Sequence, residues 1–558
     1  LCSPIAGGVG THMGKKTKRL RADDGPAPRA ATGVTKRVKK SGASTEIARK
    51  KSRAGAATDV APNSGAQKTR AVPPPPIYRR LHAVADPEDG GSQPEDATSP
   101  ATSSYLTPAS AEYTACLAQS YVGFHVDEPA IFSMDMHRDV TGALEALLAA
   151  GNFHYDVLAA GKSVNPTFVQ RTLVGNEGMT YHYQRLRIFA HPWGDEETPV
   201  DSPLRVVRRL NEALRARSRK LLRDSPDPRV GVEVTGSCDF NVTLINFMEP
   251  AHRCTAVPLK EESQYGMGNA SVSWHADSSL QDMSTVAVYH QTEGGAGSAD
   301  NSWRVALKTL DGVTPALTVP LRSHRTYYML RDFNAHHHHA VLTGDTSRFS
   351  STHRVAVVAR DTFQYIKGRC EAALALLPVL KAAGVEGVEG AAGAHRRKGK
   401  GSRAATGEPL ARTIQRVGEV HREVEFQWIR MFWLQGTRHA ASHGGYWKPR
   451  VEELTQAWDA MELGYRWALA ALRTGAQTGS VEVRAYDVTL YLLGEIAEAR
   501  AEHAKRCTSP AYILVPEDCR PVDAPLFEEK APLPYDLRPV IAALEGWRAR
   551  AVRVQGRR

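Results

Sequence analysis

The spacing of apolar positions along the chain changes character near residue 360. Before that point, from about 106, short β-rich runs alternate with turns, as in Thr180-Tyr181-His182-Tyr183 and on through Phe189, in 230–234 and in 286–289. Strands recurring at this interval predict a jelly-roll core. Two stretches inside the region, 143–150 and 204–222, carry apolar residues three and four apart and predict flanking helices that buttress one sheet. Pro315 and Gly294-Gly295-Ala296-Gly297 mark loops, and 251–262 reads as a loop at the mouth of whatever site the next strand builds. After 360 the period becomes helical: 363–383, 414–434, 451–472 and 481–503 predict an antiparallel bundle. The expected fold class is therefore α+β, a double-stranded β-helix (jelly-roll) domain with flanking helices followed by a C-terminal α-helical bundle. Phe426, Trp428, Phe432 and Trp433 are assigned to core or interdomain packing, the commonest fate of aromatic positions on helices.

Composition divides the chain further. Residues 1–105 are rich in Ala, Gly, Pro, Ser and Lys, lack a sustained apolar period, and are expected to form a disordered basic tail. That leaves 106–360 for the jelly-roll domain and 361–558 for the bundle, which a Gly-, Ala- and Arg-rich insertion near 384–408 interrupts as an expected disordered loop. A chain of 558 residues with 42% hydrophobic content can build two or three domains with real cores. Its net charge of +11 resembles a nucleic-acid signature until it is located: residues 1–80 hold 18 Lys plus Arg against 4 acids, which leaves the rest at about −3. Attraction to phosphate is thus expected mostly from the tail and from local patches. Lys15-Lys16-Thr17-Lys18-Arg19, Lys36-Arg37-Val38-Lys39-Lys40 and Arg49-Lys50-Lys51 suit nuclear import or RNA contact. The chain opens on Leu1, and Met13 is a candidate start. No apolar run is long enough for a secretory signal or a membrane span, and seven cysteines without close pairs read as reduced thiols. Both features point to a nuclear or cytosolic protein.

The candidate chemistry begins at Trp274-His275-Ala276-Asp277. Side chains two apart on an extended segment share a face, so His275 and Asp277 can chelate one ion while a histidine of the run 336–339 arrives from a neighbouring strand. Spacing alone leaves open which of the four it is. Two imidazoles and one carboxylate on one face of an octahedral ion form the arrangement of the non-haem Fe(II) oxygenases. In Arg348-Phe349-Ser350-Ser351-Thr352-His353-Arg354, the residues Arg348, Ser350, Thr352 and Arg354 share parity and line one wall of a strand. A guanidinium fork matches a carboxylate bidentately, as the distal end of 2-oxoglutarate requires, and Tyr327 on the preceding strand can add a phenolic donor. Singly, a His-x-Asp pair or two strand arginines say little; their order and spacing together carry the reading.

With those residues in view, the chain resembles the fat mass and obesity-associated (FTO) family of AlkB-like oxygenases. The likeness is carried by Tyr265-Gly266-Met267-Gly268, Val272-Ser273-Trp274-His275, Val286-Ala287-Val288-Tyr289 and Arg348 to Ala356. It extends to Arg171-Thr172-Leu173-Val174-Gly175-Asn176, Leu244-Ile245-Asn246-Phe247-Met248, Glu423-Val424-Glu425-Phe426-Gln427-Trp428 and Pro532-Leu533-Pro534-Tyr535-Asp536-Leu537, and so spans about 106–550. The resemblance implies His275, Asp277 and His339 as iron ligands, with 339 singled out by its interval to Arg348. It implies Asn246, Tyr327, Arg348, Ser350 and Arg354 as the 2-oxoglutarate site, O2 as the third reactant, and Arg171 and Tyr183, with Tyr181 beside them, as contacts to a methylated base. It also implies a mouth loop that restricts duplexes, and a bundle that supports the catalytic domain. Two positions depart from the family: Ser278 replaces the acid that follows the metal-binding Asp and helps recognise the exocyclic group of the base, and Ala276 replaces the histidine between the ligands. The implied activity is oxidative demethylation of N6-methyladenine in single-stranded RNA, possible also on single-stranded DNA, releasing succinate and formaldehyde. Single strands are favoured because a base must leave its stack to react, and Tyr183 stacking contributes about 1 to 3 kcal/mol. The Ser278 departure motivates two alternatives, demethylation of 3-methylthymine or 3-methyluracil and hydroxylation of a protein; a non-enzymatic alternative is an inactive RNA-binding scaffold.

Overall fold

The computed structural model describes residues 105–160, 163–183, 185–224, 238–254, 259–293, 302–389, 409–523 and 533–557. The basic tail, the expected strand at 230–234, the glycine loop at 294–297 and most of the 384–408 insertion lie outside the described residues; a helix, Leu377–Glu389, continues into the start of that insertion.

Two sheets carry the first half of the chain. The larger has seven strands in the order Phe124–Asp127, Thr326–Met329, Val286–Thr292, Arg348–Arg354, Val242–Met248, Val169–Gly175 and His191–Pro192, antiparallel except for the last pair. The smaller has five, Leu317–Pro320, Arg304–Thr309, His337–Leu342, Gly268–His275 and Lys260–Glu262. Alternation along each strand sorts the side chains. Val286, Val288, Met248, Val169, Tyr327 and Met329 of the large sheet meet Val305, Leu307, Val319 and Val341 of the small one in a single buried cluster. The opposite parity, including Ile245, Ala287, Tyr289, Tyr328 and Phe349, packs beneath the helices Met134–Ala149 and Pro203–Asp224. The expected mouth loop at 251–262 is a turn at its start, but its end forms the edge strand Lys260–Glu262, which pairs with Gly268–Ala270.

The flanking helices form for local reasons. Ser133 caps the first by accepting the Met136 N–H at 3.2 Å, and the buried positions Val140, Ala143, Leu144 and Leu147 follow the helical repeat. In the second, Val206, Val207, Leu210, Leu214 and Leu221 make the apolar stripe, and Arg217 grips Asp127 of the sheet edge at 2.6 and 2.7 Å.

From 363 onward the chain is helical. The run expected at 363–383 is two helices, Phe363–Leu374 and Leu377–Glu389, because Pro378 cannot continue the first helix's hydrogen bonding. The run expected at 414–434 is Leu410–Glu423, a π-turn at Val424–Ile429, and Arg430–Trp433. The i→i+5 closure places Arg430 against Glu425, which is fully buried and accepts from Arg430 Nε at 3.0 Å, Arg500 Nε at 3.2 Å and Trp458 Nε1 at 3.2 Å. Burial pushes the Glu425 carboxyl up, but Arg500 and Arg430 more than reverse this and keep it ionised. Long helices Trp447–Thr478 and Val483–Cys507 complete the core with Arg538–Gln555, a helix the sequence reading missed. The aromatic cluster packs inside, and Trp428 also receives Arg187 from the hairpin of the β region, with the guanidinium 4.0 Å from the ring centroid. None of the six described cysteines forms a disulfide, and no described helix is long and apolar enough to cross a membrane.

Four buried histidines meet where the sheet abuts the helices. His191 stacks on His443 at 3.9 Å, His443 on His439 at 4.1 Å, and His154 lies 5.5 Å from His439. Burial pushes all four down, His191 to about 4.

Two predictions follow from this packing. Glu425→Ala leaves two buried arginines without their carboxylate and is expected to cost about 3 to 5 kcal/mol, read by denaturant unfolding. A loss under 1 kcal/mol would contradict the network. For His191, the unfolded chain takes up a proton near 6.5 and the folded one only near 4, so stability falls as pH drops through that window, by up to about 1.4 kcal/mol per unit. His191→Gln should flatten the dependence of the melting temperature on pH, and an unchanged slope would refute the assignment.

Candidate active site

The metal-binding candidates are brought together by strand register. His275 ends the strand Gly268–His275, and its antiparallel partner across the ladder is His339. Irregular pairing between Ala270 and His275 kinks this strand as it reaches the site. The two imidazole centroids lie 4.1 Å apart, and His275 Nε2 stands 3.8 Å from Asp277 Oδ1. The ligand atoms of His275, Asp277 and His339 all fall within 4.8 Å of one another. The other three histidines of the run are excluded by their surroundings. His337 bonds the Phe333 and Ser120 carbonyls, His336 is exposed beside Asp332, and His338 falls on the opposite parity from His339.

The tautomer and charge of each group suit a divalent ion. His275 Nδ1–H donates to the Ser273 carbonyl at 2.8 Å, which leaves the Nε2 lone pair for a ligand. Burial, then the neighbouring His275 imidazole, pulls His339 down to about 3, and its Nδ1 has no partner among the described residues. Burial would raise Asp277, but Arg354, His339 and His275 together bring it to about 2. Its backbone is clamped by Asn334, whose Oδ1 accepts the Asp277 N–H at 2.9 Å and whose Nδ2 donates to the Asp277 carbonyl at 2.8 Å. This clamp escaped the sequence reading, since nothing local links positions 57 apart.

A second trio, His421, Glu425 and Glu462, also has ligand atoms close enough for a metal. There, however, the two carboxylates already face Arg430 and Arg500. No uncompensated negative charge remains to hold a cation, so this cluster is a structural network.

The expected wall exists. Register across the large sheet aligns Arg171, Asn246, Ser350 and His290 in one transverse row, and Thr352 aligns with Val288, the partner of Tyr327. Arg348, Ser350, Thr352 and Arg354 therefore project toward the small sheet together with Asn246 and Tyr327. Arg348 is 1% exposed; its Nη1 reaches only Met248 Sδ, at 3.2 Å, and its Nε and Nη2 have no hydrogen-bond partner among the described residues. Burial pulls it down to about 10, against the opposing effect of Tyr327, itself pushed up to about 12. Arg354 behaves differently: its Nη2 and Nε donate to Asp277 at 2.7 and 3.1 Å, and only Nη1 lacks a partner. Buried donors without acceptors are costly, and here they converge where a keto diacid would supply carboxylate oxygens. The residues present fit iron and 2-oxoglutarate.

The base-contact candidates lie beside this centre. Tyr181, 1% exposed, donates to the Ser278 carbonyl at 2.6 Å, and Arg354 lies 5.4 Å from the centroid of its ring. Burial raises the Tyr183 phenol, Arg354 lowers it, and Asp277, Asp156 and Arg171 act on it as well. Ser278 is exposed and supplies no acid. Arg171 is not free: Asp156 takes its Nε and Nη2 at 2.5 and 2.6 Å, and Gln435 Oε1 accepts from Nη2 at 2.6 Å. Neither partner was foreseen, although Asp156 directly precedes a hairpin, Val157–Ala160 with Ser163–Pro166, that returns the chain toward Arg171.

The Arg348 environment yields a prediction. Arg348→Met removes a buried charge without a carboxylate partner, so the melting temperature of the ligand-free protein should hold or rise, while 2-oxoglutarate affinity should fall about 100-fold or more, measured by titration calorimetry. Retained affinity would contradict the clamp.

Comparison with known proteins agrees with this geometry. Residues 111–357 match the FTO catalytic domain, and 361–546 match the FTO C-terminal domain. The chain is 32% identical over 456 residues to the alpha-ketoglutarate-dependent dioxygenase FTO of Xenopus laevis, covering 74% of this chain and 86% of that protein. Among solved structures, a prolyl hydroxylase of Trichoplax adhaerens, in complex with a hypoxia inducible factor peptide, shares 14% identity over 42% of this chain and 83% of its own, with a TM-score of 0.27. A 2OG-Fe(II) oxygenase from Burkholderia pseudomallei shares 14% over 45% of this chain and 93% of its own, with a TM-score of 0.25. The chain belongs to the FTO family of 2-oxoglutarate-dependent dioxygenases, enzymes that use Fe(II), 2-oxoglutarate and O2.

Proposed function

We propose that this protein removes N-methyl groups from bases of single-stranded RNA, with N6-methyladenine as its principal substrate and single-stranded DNA as a further one. The observation that carries the reading is the Arg354 guanidinium 5.4 Å from the Tyr181 ring centroid, with Tyr183 two residues on along the same strand and Arg171 in the transverse row of Asn246 and Ser350, in a chain of this family. On this reading the two facing sheets are the double-stranded β-helix of the oxygenases. His275, Asp277 and His339 hold the iron; Arg348 and Ser350 receive the distal carboxylate of 2-oxoglutarate, with Asn246, Tyr327 and Arg354 around the rest of it.

Iron, when bound, couples the decarboxylation of 2-oxoglutarate to succinate with insertion of one oxygen atom of O2 into a substrate C–H bond. The protein's part is positional. Arg354 keeps the Asp277 carboxylate ionised and aimed, and the His275 hydrogen bond to Ser273 fixes its ring. Tyr183 offers a face for the extruded base, and Arg171 keeps its Nη1 donors for the base edge. The hydroxylated methyl group departs as formaldehyde, and the base nitrogen regains its hydrogen.

A second reading, demethylation of 3-methyluracil or 3-methylthymine, is favoured by one observation: Ser278 offers no carboxylate for an exocyclic N–H, whereas Arg171 retains a donor suited to a carbonyl oxygen. The basic clusters of the tail fit nuclear residence, which imaging of a tagged full chain with and without them tests. For the reaction, the test is mass spectrometry of a mixed pool of methylated RNA incubated with protein, Fe(II) and 2-oxoglutarate. Loss of N6-methyladenine with matching formaldehyde is expected, and Ser278→Glu should raise the preference for methyladenine over methylpyrimidine. Succinate production with every methylated base unchanged would overturn the proposal.

A further inference from the structure

Asp156 and Gln435 belong to neither the iron ligands nor the co-substrate wall, yet both bind the same guanidinium. Asp156 is 2% exposed and meets Arg171 in a two-point ion pair. Gln435, 3% exposed, lies between the helices Arg430–Trp433 and Gly436–Ser442. Its amide can face only one way: Nε2 donates to the Arg187 and Met431 carbonyls at 3.0 and 2.8 Å, so Oε1 must be the atom that accepts from Arg171. Gly436 holds this junction in place with φ 89°, where a Cβ would collide with the Asp518 carbonyl.

A guanidinium has five N–H donors in a fixed plane. Asp156 occupies one on Nε and one on Nη2, Gln435 the other on Nη2, and Nη1 remains buried with no hydrogen-bond partner among the described residues. Asp156 cancels the charge of Arg171, so the group offers a directed donor rather than a general attraction for phosphate. Arg171 shares its transverse row with Asn246 and Ser350 of the co-substrate wall, and Tyr183 feels both this pair and the Asp277–Arg354 pair.

We propose that Asp156 and Gln435 are positioning residues which lock Arg171 so that Nη1 meets an acceptor on the base edge, a ring nitrogen or a carbonyl oxygen, making the helical region a determinant of base selection. The inference rests on the base-demethylase reading. Gln435 acts through Arg171 and does not touch the base.

The test compares the full-length protein with Gln435→Met, Gln435→Glu and Asp156→Asn. Measured quantities are kcat and KM on the best methylated oligonucleotide of the panel, and succinate formed without nucleic acid. Gln435→Met, which keeps volume and loses the acceptor, should raise the oligonucleotide KM about tenfold, the scale of one charge-assisted hydrogen bond, with nucleic-acid-free succinate unchanged. Gln435→Glu restores the acceptor and should recover most of the KM, although it forfeits both donations to carbonyls. Asp156→Asn should raise KM as well. Equal impairment of both Gln435 variants in KM and in nucleic-acid-free turnover marks a merely structural role and overturns the proposal, as does an unchanged KM in Gln435→Met and Asp156→Asn. Failure of the unsubstituted protein to demethylate any oligonucleotide sinks the parent reading instead.

Discussion

The ion pair between Asp277 and Arg354 is the constraint on which the site depends. Asp277 follows a strand of the small sheet, and Arg354 ends a strand of the large one. Their side chains are 4% and 7% exposed, and two hydrogen bonds join them. A buried carboxylate stays ionised only if opposite charge offsets its lost hydration, and Arg354 is the main source of it here. The pair therefore sets the charge state of a candidate metal ligand and links the two sheets. Arg348 has no such carboxylate partner among the described residues. The wall keeps a buried cation whose Nε and Nη2 donors have no acceptor among the described residues.

The helical region repeats this logic without offering chemistry. Glu425 and Glu462 are as buried as Asp277, but Arg430, Arg500 and His421 close their electrostatic account within the protein. The difference between a structural network and a reactive site is thus the remainder of charge and donors, not the presence of ionisable groups. Asp156, Arg171 and Gln435 are intermediate: charge is balanced, yet one pair of N–H donors is left over. That remainder sits where sheet and helices touch, at the Arg171–Gln435 hydrogen bond.

Much of the site was legible because strand parity is local. Arg348, Ser350, Thr352 and Arg354 share a face through a period of two, whereas Asp277 lies two residues past the end of its strand at His275. The choice among His336 to His339 was not legible from parity or spacing, because it depends on which residue stands opposite His275 in a non-local ladder. Asn334, Asp156 and Gln435 were missed for the same reason, as each acts across a fold contact that leaves no periodic trace. The bundle was readable from its apolar period, whereas its interruptions came from single residues: Pro378 splits one helix, and Glu425 accompanies the π-turn in another. Pro539 beside Leu537 was a usable start signal for the final helix, where proline is favoured in the first turn.

The two departures from the family pattern fall where the structure constrains least. Ala276 is half-buried just past the end of the strand, and Ser278 is exposed. Altering Asp277 or Arg354 strands a buried charge, and losing Asn334 frees the backbone that aims the carboxylate. Altering residue 278 leaves no buried group unpaired, because its structural duty, accepting the Tyr181 hydroxyl, belongs to the backbone carbonyl and survives any side chain there. The candidate metal site is thus held by mutual electrostatic dependence, whereas the side chain at 278 can change without unpairing a buried group.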